Sequence, residues 1–380
     1  MMLEQLSTSD LQLPGRLGSS KLDVGRFTLV LLLATATPAA AQWSQFPTPN
    51  VPKNADGSPN LNAPAPRTAD GKPDFSGIWL ASPHPAYVLN IAADLDAADV
   101  QPWAAALFVA RMNDFGKDDP ASIGCQPWGP RHVLGTTLRE AGRTKIVQTS
   151  GLIVVLYEDL AYRQIFMDGR KLPKIASAAF EGYSVGRWEG DELVIDSAGF
   201  KDTSWLDFGG HPHSESLQIT ERLRRVDFGH IERRITLTDP KAFNKPIAIA
   251  SDLALVPDTE LLEYICAESP PAMLVGRTEA EKKVRIPPET LAKYVGVYDF
   301  EGSNPFKFST LTLSLDGSQL FADFNGKGHV PMVVMSEKLL SPRLLGSYEF
   351  FTDEHGEVTH IMAHGIEGSF KITKRRAAAQ

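Results

Sequence analysis

The sequence has few cysteines, no long apolar run and no long basic run. Its apolar stretches are shorter than the about 20 residues needed to cross a bilayer, which predicts no transmembrane segment. With 38 Lys and Arg against 46 Asp and Glu, the formal charge is −8, and the longest basic run is Lys374-Arg375-Arg376. Nucleic acids and anionic membranes are therefore poor candidates for partners. The sequence also lacks P-loop, Gly-x-Gly-x-x-Gly and His-Glu-x-x-His motifs, which argues against nucleotide and zincin chemistry.

The two cysteines, Cys125 and Cys266, are far apart in the sequence. In an oxidising compartment an even, minimal number favours one disulfide that closes a long loop. Two separate, buried thiols are the alternative, because the sequence does not show whether the two Cα atoms come close enough to be bridged.

The first residues have the features of a secretory signal peptide. Arg26 precedes an apolar run over Phe27–Leu33, and small residues follow up to Ala39-Ala40-Ala41. A basic flank, a short apolar stretch and an A-x-A site predict cleavage before Gln42 and a periplasmic or secreted protein.

Composition and pattern divide the rest of the chain. A stretch rich in Pro and Asn comes first, and a second one with four prolines separates two β-rich regions. We predict a signal peptide over 1–41, an extended arm over 42–73, a β-barrel domain over 74–267, a linker over 268–288, a small β domain over 289–373 and a tail over 374–380.

From Lys145 onward, apolar and polar residues alternate with a period of two, and Gly- and Asp-rich turns separate the strands. The predicted strands include His230–Thr238, Leu261–Cys266 and, in the C-terminal region, Leu291–Asp299. One helix is predicted after Pro102, with Trp103, Leu107 and Ala110 on its apolar face, ending at Gly116. So many sequential hairpins would curl into a barrel that removes exposed edges. The predicted fold class is mainly β: an antiparallel meander β-barrel with one inserted helix, plus a smaller C-terminal β domain.

Three resemblances support this prediction. Gly77-Ile78-Trp79 resembles the Gly-x-Trp signature of lipocalins and their calycin relatives, which implies a barrel with an interior cavity for an apolar small molecule. Segments such as Gly182–Trp188 and Pro212–Glu215 resemble a broad group of exported bacterial proteins, and this resemblance implies no activity. The region that opens with Tyr294-Val295-Gly296-Val297-Tyr298 is similar to the small β domain often appended to β-lactamase-like serine hydrolases, where it is accessory.

The segment 209–223 carries the candidate chemistry. If a strand begins at His213, then His213, Glu215 and Glu221 share a face with Leu217, Ile219 and Leu223 and point into the barrel, with His211 at its mouth. Three interpretations stay open. They are a divalent-metal site of His211, His213 and Glu215, acid–base catalysis by His213 with Glu215 or Asp207, and a structural hydrogen-bond network.

Neighbouring segments supply further candidates. The loop with Trp205 and Asp207 is either a lid over the barrel mouth or a hydrophobic plug. Tyr183 and Arg163 are candidate ligand-binding residues near the same mouth, as is the inward-facing Glu221. Arg131 and His132 either bind the carboxylate of a ligand or end strands in solvent.

The leading functional hypothesis is an exported barrel that binds a small apolar or aromatic molecule. It would transform the molecule, if at all, by acid–base chemistry without an organic cofactor, with His213 as the base and Glu215 orienting it. The alternatives are a non-catalytic envelope protein that presents its C-terminal domain to a protein partner, and a metal-dependent enzyme.

Overall fold

The computed structural model describes residues 48–375 except 84, 115, 137–141, 175–176, 269–283, 303–307, 343–345 and 366–367. The described residues belong to one compact unit that contains a closed nine-stranded barrel and a second nine-stranded, nearly closed sheet. The predicted fold class, a mainly β protein with a barrel and a second β region, is confirmed. The predicted signal peptide lies outside the described residues, as do parts of the linker and tail.

The barrel strands follow one another around the wall in chain order. They are β1 (Gly77–Pro83), β2 (Arg143–Gln148), β3 (Leu152–Tyr157), β4 (Tyr162–Phe166), β5 (Tyr183–Glu189), β6 (Glu192–Ala198), β7 (Gln218–Arg225), β8 (His230–Thr238) and β9 (Ile247–Leu255). Pairing between β9 and β1 closes the barrel.

One pair of neighbouring strands departs from the antiparallel meander. Strands β4 and β5 are parallel, with Ile165 opposite Ser184 and Phe166 opposite Val185. A parallel neighbour needs a connection that returns to the start of the first strand. Residues 167–182 make that connection, and they separate β5 from the hairpins before it.

The Gly-x-Trp segment lies in β1, at the end of the barrel that contains Leu255. We call this the lower end of the barrel. Gly77 has φ +143°, and a Cβ atom there would lie 2.9 Å from Cδ1 of Leu255. The Trp79 indole is fully buried beneath the Arg225 guanidinium and donates a 2.9 Å hydrogen bond to the Phe75 carbonyl. Glycine is needed here because the backbone and Leu255 leave no room for a side chain.

In the described part of the chain, four α-helices lie between β1 and β2, where the sequence predicted one. They are α1 (Pro85–Leu89), α2 (Pro102–Asn113), α3 (Pro120–Gly124) and α4 (Pro130–Leu134). Helix α2 is the predicted helix, but its predicted apolar face is wrong. The buried side chains are Ala104, Phe108 and Met112, whereas Trp103 is 45% exposed. Because these buried residues recur every four positions, the opposite face, with Ala110, remains open to solvent.

The C-terminal sheet begins after a helix that the sequence analysis assigned to a strand. Residues Pro288–Tyr294 form α5, because Pro288 suits a first turn and Leu291 and Tyr294 bury one face. The strands are β10 (Gly296–Phe300), β11 (Thr310–Asp316), β12 (Gln319–Phe324), β13 (Lys327–Pro331), β14 (Val333–Val334), β15 (Leu339–Ser341), β16 (Ser347–Thr352), β17 (Val358–Gly365) and β18 (Gly368–Lys374).

A single apolar core joins the C-terminal sheet to the helices beside the barrel. Phe108 and Met112 of α2 pack in the same cluster as Tyr298, Phe324 and other residues of that sheet. The domain limits predicted from composition therefore stay a prediction, since apolar packing is continuous across them.

Cys125 and Cys266 form the disulfide that the sequence favoured, with their Cα atoms 5.6 Å apart. Cys125 follows α3, and Cys266 lies in a short 3₁₀ turn over Cys266–Glu268 after the barrel. The predicted strand over Leu261–Cys266 is wrong: these residues have no strand pairing, and their bonds to the barrel side are local, from the backbone amides of Tyr264 and Leu262 to the carbonyl and carboxylate of Glu158. The disulfide fastens this segment to the helices.

Reduction of the disulfide is expected to lower the stability of the protein markedly. Because the bond joins residues 141 positions apart, its loss frees a long loop in the unfolded chain and should cost about 2–5 kcal/mol. Guanidinium unfolding with and without reductant measures this change. The Cys125→Ser/Cys266→Ser variant should not respond to reductant, and an unchanged wild-type midpoint would contradict the prediction.

Candidate functional site

A layer of polar side chains divides the barrel interior into two apolar cores. On β7, Ile219 belongs to the upper core and Leu223 to the lower core, with Glu221 between them. Strands β8 and β9 show the same order around Arg233 and Ser251, whereas β6 contributes Leu193 and Ile195 to the lower core and Ser197 to the polar layer. The buried polar layer consists of Arg163, Ser184, Ser197, Glu221, Arg233 and Ser251.

Arg163 spans the layer from β4 to β7. Its Nε donates to the Ser184 hydroxyl at 2.8 Å, and its Nη2 donates to Ser197 at 2.7 Å and to Glu221 at 2.5 Å. Burial alone would lower the pKa of Arg163, but the Glu221 carboxylate raises it. The structure thus brings together two predicted ligand-binding residues, Arg163 and Glu221, as a buried ion pair.

Arg233 connects the same layer to helix α4. Its Nη1 lies 3.6 Å from the Glu221 carboxylate and donates to the Val133 carbonyl at 3.1 Å. Its Nε and Nη2 donate to the carbonyl and hydroxyl of Ser251. Burial lowers the pKa of Arg233 by desolvation, and the Glu221 carboxylate offsets only part of this effect.

His132 of α4 is held between two carboxylates at the upper end of the barrel. Its Nδ1 donates to Glu181 at 2.9 Å, and its Nε2 lies 3.3 Å from Asp159. Burial alone would lower the pKa of His132, but Glu181 and Asp159 together raise it to about 9. The imidazole is therefore cationic at neutral pH.

Tyr157 places an unused hydrogen-bond donor in the barrel. Its ring stacks on His132 with centroids 3.8 Å apart, and burial raises the pKa of its hydroxyl, which stays protonated. Within the described residues, this hydroxyl has no hydrogen-bond partner, and neither does Nη1 of Arg163. Both donors therefore remain available to a bound molecule.

A small cavity adjoins these donors. Its volume is about 40 Å³, and its polar lining consists of His132, Thr144, Tyr157, Arg163, Glu221 and Arg233. The apolar lining is Phe75, Ile146, Ile153, Val155, Ile165, Leu193, Ile195, Leu223 and Leu253. Such a volume holds a few water molecules and is well below the about 300–1,000 Å³ of sites for drug-sized ligands.

The predicted catalytic residue Asp207 organises a loop and does not reach the cavity. Its carboxylate accepts hydrogen bonds from the backbone amides of Ile91, Gly210 and His211, and from Nδ1 of His211 at 2.6 Å. The His211 ring stacks on Phe108 with centroids 3.7 Å apart. Asp207 and His211 thus form a buried pair that fixes the loop to α1 and α2.

His213 lies in the same loop but has different partners. Its Nδ1 donates to the Ser214 carbonyl at 3.0 Å, and its Nε2 lies 3.0 Å from the Ser204 hydroxyl. Burial lowers the pKa of His213, so its imidazole is neutral at pH 7. The structure shows a satisfied histidine, and its role as a base stays a prediction.

Glu215 is not inside the barrel. The prediction that a strand starts at His213 is wrong, because β7 begins at Gln218 and Glu215 is exposed in a turn. Its carboxylate binds the exposed Lys241 ammonium, which lowers the pKa of Glu215. His211, His213 and Glu215 consequently do not converge, and no group of three metal-ligating side chains occurs among the described residues.

Three other predicted residues lie outside the cavity lining. Tyr183 accepts a hydrogen bond from Arg170 at the barrel surface. Trp205 is buried under the Arg111 guanidinium beside α2. Arg131, a candidate anion ligand, already binds the Asp119 carboxylate through both Nη atoms, with both residues fully buried.

The sequence analysis missed Tyr157 and Arg233 although a signal was present. Both alternate with apolar residues on a strand: Tyr157 follows Ile153 and Val155, and Arg233 lies between Ile231 and Ile235. Period-two alternation alone assigns both side chains to the interior. Glu181 and Asp159 had no such signal, because they lie in loops.

No protein-family model matches the chain, and no curated protein sequence matches it significantly. No helix in the described part of the chain is long and apolar enough to cross a membrane.

Replacing Glu221 by glutamine should strongly destabilise the barrel. Two buried guanidinium groups would lose the one carboxylate within 4.0 Å of them among the described residues, and breaking a buried pair typically costs about 3–5 kcal/mol. Urea unfolding measures the loss. The matched control is Glu189→Gln, which breaks exposed ion pairs with Arg222 and Arg187 and should change the unfolding midpoint far less. Equal losses in the two variants would refute a structural role for the buried cluster.

The stabilisation from His132 should disappear at high pH. Because its pKa rises from 6.5 to about 9 on folding, the contribution is full below pH 6.5 and is lost as the pH rises through 9. A shift of this size corresponds to about 3 kcal/mol. NMR titration of the His132 ring checks the pKa directly, and Glu181→Gln should lower it. A ring that titrates near pH 6.5 in the wild type would contradict the assignment.

Proposed function

We propose that the barrel binds a small, partly apolar molecule at the polar layer of its interior. The observation that carries the proposal is the cavity beside Tyr157, where the hydroxyl and Nη1 of Arg163 lack partners among the described residues. A ligand with an acceptor oxygen in this cavity would give both groups a hydrogen-bond partner.

The charge and volume of the cavity limit which ligands it could bind. Arg163 and Arg233 share one carboxylate, Glu221, so this part of the lining has one excess positive charge. Donors and positive charge favour a carbonyl or carboxylate oxygen near Tyr157, with the apolar part of the molecule toward Ile165 and Leu223. About 40 Å³ suits a ligand of only a few non-hydrogen atoms.

We also propose that the protein is exported, as the sequence predicts. A disulfide between Cys125 and Cys266 is typical of periplasmic and secreted proteins, which supports the predicted signal peptide. We propose that the mature protein works in such an oxidising compartment. Acid–base turnover by His213 stays a hypothesis, since the proposed binding site does not include that residue.

Exposed apolar residues favour the non-catalytic interaction protein as a second candidate. Leu160, Tyr162 and Val147 are 61%, 58% and 43% exposed on the outer side of β2–β4. A non-catalytic interaction protein needs no ligand cavity, so the nearly filled barrel also agrees with this second candidate. The exposed residues lie on the barrel, whereas the sequence-based hypothesis placed the partner on the C-terminal region.

Substitution of Tyr157 by phenylalanine should weaken the binding of small acceptor ligands. The variant removes one hydroxyl and keeps the ring stacked on His132, so propionate and 2-butanone should bind about 3-fold to 10-fold more weakly. Ligand-observed NMR titrations measure the two affinities. Xenon, which accepts no hydrogen bond, should bind both proteins equally if the cavity is intact.

The matched control is Tyr162→Phe, which removes an exposed hydroxyl from the outside of the barrel. Its affinities for both probes should equal those of the wild type. If neither the probes nor xenon enters the wild-type barrel, the proposed binding function is wrong and the interaction protein becomes the better hypothesis.

A further inference from the structure

Arg111 is the one half-buried or buried arginine among the described residues that has neither a carboxylate within 4.0 Å nor a full set of backbone acceptors. The others meet acids or several carbonyls: Arg131 binds Asp119, Arg143 binds Glu158, Arg163 and Arg233 bind Glu221, and Arg225 donates to three carbonyls. Arg111 has a single acceptor, the Gly210 carbonyl at 2.8 Å from Nη1.

Packing fixes the guanidinium of Arg111 in one orientation. Its Cζ lies 4.4 Å from the ring centroid of Trp205, and a Cβ atom on Gly210 would lie 2.7 Å from the Arg111 Cβ. The stem therefore lies against Gly210 and the plane of the group lies over the indole. With Nη1 used by Gly210, the unused donors are Nε and Nη2, which together form one edge of the guanidinium.

Arg111 also lines an open groove between the end of α2 and the turn after it. The groove has a volume of about 280 Å³ and is lined by Leu107, Ala110, Arg111, Asp114, Gly116, Lys117, Asp118 and Trp205. The apolar side chains form one wall. At the rim, Lys117 pairs with Asp114 at 2.5 Å, and Asp118 is exposed, so these three side chains carry one excess negative charge and attraction of an anion must come from Arg111.

We propose that this groove is a second binding site, for a small carboxylate attached to an apolar group. The Nε and Nη2 edge of an arginine binds a carboxylate through two parallel hydrogen bonds, a geometry that lysine does not offer. Leu107, Ala110 and the Trp205 indole would contact the apolar part. Burial lowers the pKa of Arg111, which agrees with a cation that lacks a close counter-ion.

The test uses benzoate as the carboxylate and benzamide as its uncharged match, with the full mature protein. Benzoate should shift the indole N–H resonance of Trp205 and bind with a dissociation constant of about 1 mM or below. Benzamide should bind about 10-fold or more weakly, because it lacks the charge that strengthens both hydrogen bonds. Equal affinities for the two compounds would overturn the proposal.

Two variants separate charge from geometry. Arg111→Lys keeps the positive charge and most of the stem but loses the donor edge, and Arg111→Gln loses both. Each should weaken benzoate binding about 10-fold or more, whereas Lys371→Gln, which removes an exposed positive charge outside the groove, should change it less than about 2-fold. If Arg111→Gln fails to fold, as judged by circular dichroism, the Arg111→Lys result decides.

The groove and the barrel cavity are separate sites, so their failures are distinguishable. Tyr157→Phe should leave the benzoate-induced shift of Trp205 unchanged, and Arg111→Lys should leave xenon binding in the barrel unchanged. A Trp205 resonance that does not move up to about 10 mM benzoate would refute the groove site and leave the barrel proposal standing.

Discussion

The buried pair of Arg163 and Glu221 is the interaction on which the barrel depends. Arg163 reaches from β4 past Ser184 and Ser197 to β7, so one side chain links four consecutive strands. Removing these charges from water is expensive, and the arrangement is tolerable only because most donors meet an oxygen. The same contacts constrain the short parallel pairing of β4 and β5, whose two residue pairs would otherwise hold that wall weakly.

The closure of the upper barrel follows from the same cluster. Arg233 shares Glu221 and donates to the Val133 carbonyl, which holds α4 over the barrel. Gly135, with φ +71°, ends that helix where a Cβ atom would lie 2.6 Å from Arg233 and 2.7 Å from Ser251. His132, on the same helix, then reaches Glu181 and Asp159. Closure therefore relies on charges in the interior as well as on apolar contact.

The sequence predicted those parts of the fold that repeat with a period of two. Strand β8, over His230–Thr238, has the predicted bounds because Ile231, Ile235 and Leu237 alternate with polar residues. The prediction failed where a side chain, and not a neighbouring strand, accepts the hydrogen bonds of the backbone. Asp239 binds both the amide and the hydroxyl of Ser214, so the chain there turns instead of joining β7, and Glu215 faces solvent. Long-range partners of this kind leave no local pattern, and the same holds for Asp159 and Glu181 around His132.

Both proposed sites contain polar side chains with donor groups that lack hydrogen-bond partners among the described residues, whereas most other polar side chains inside the protein have them. Asp207 and His213 were candidates from the sequence, yet each has protein partners that account for its burial. Arg131 binds the Asp119 carboxylate through both Nη atoms, which leaves its Nε without a partner among the described residues. Tyr157 and Arg111 were not candidates, but they keep donors beside open space among the described residues. A donor beside open space can bond to a ligand without breaking a protein contact, so it is better evidence for a ligand site than a reactive residue type in a completed network. We therefore expect ligands to bind at the guanidinium of Arg111 and the hydroxyl of Tyr157, and not at the histidines.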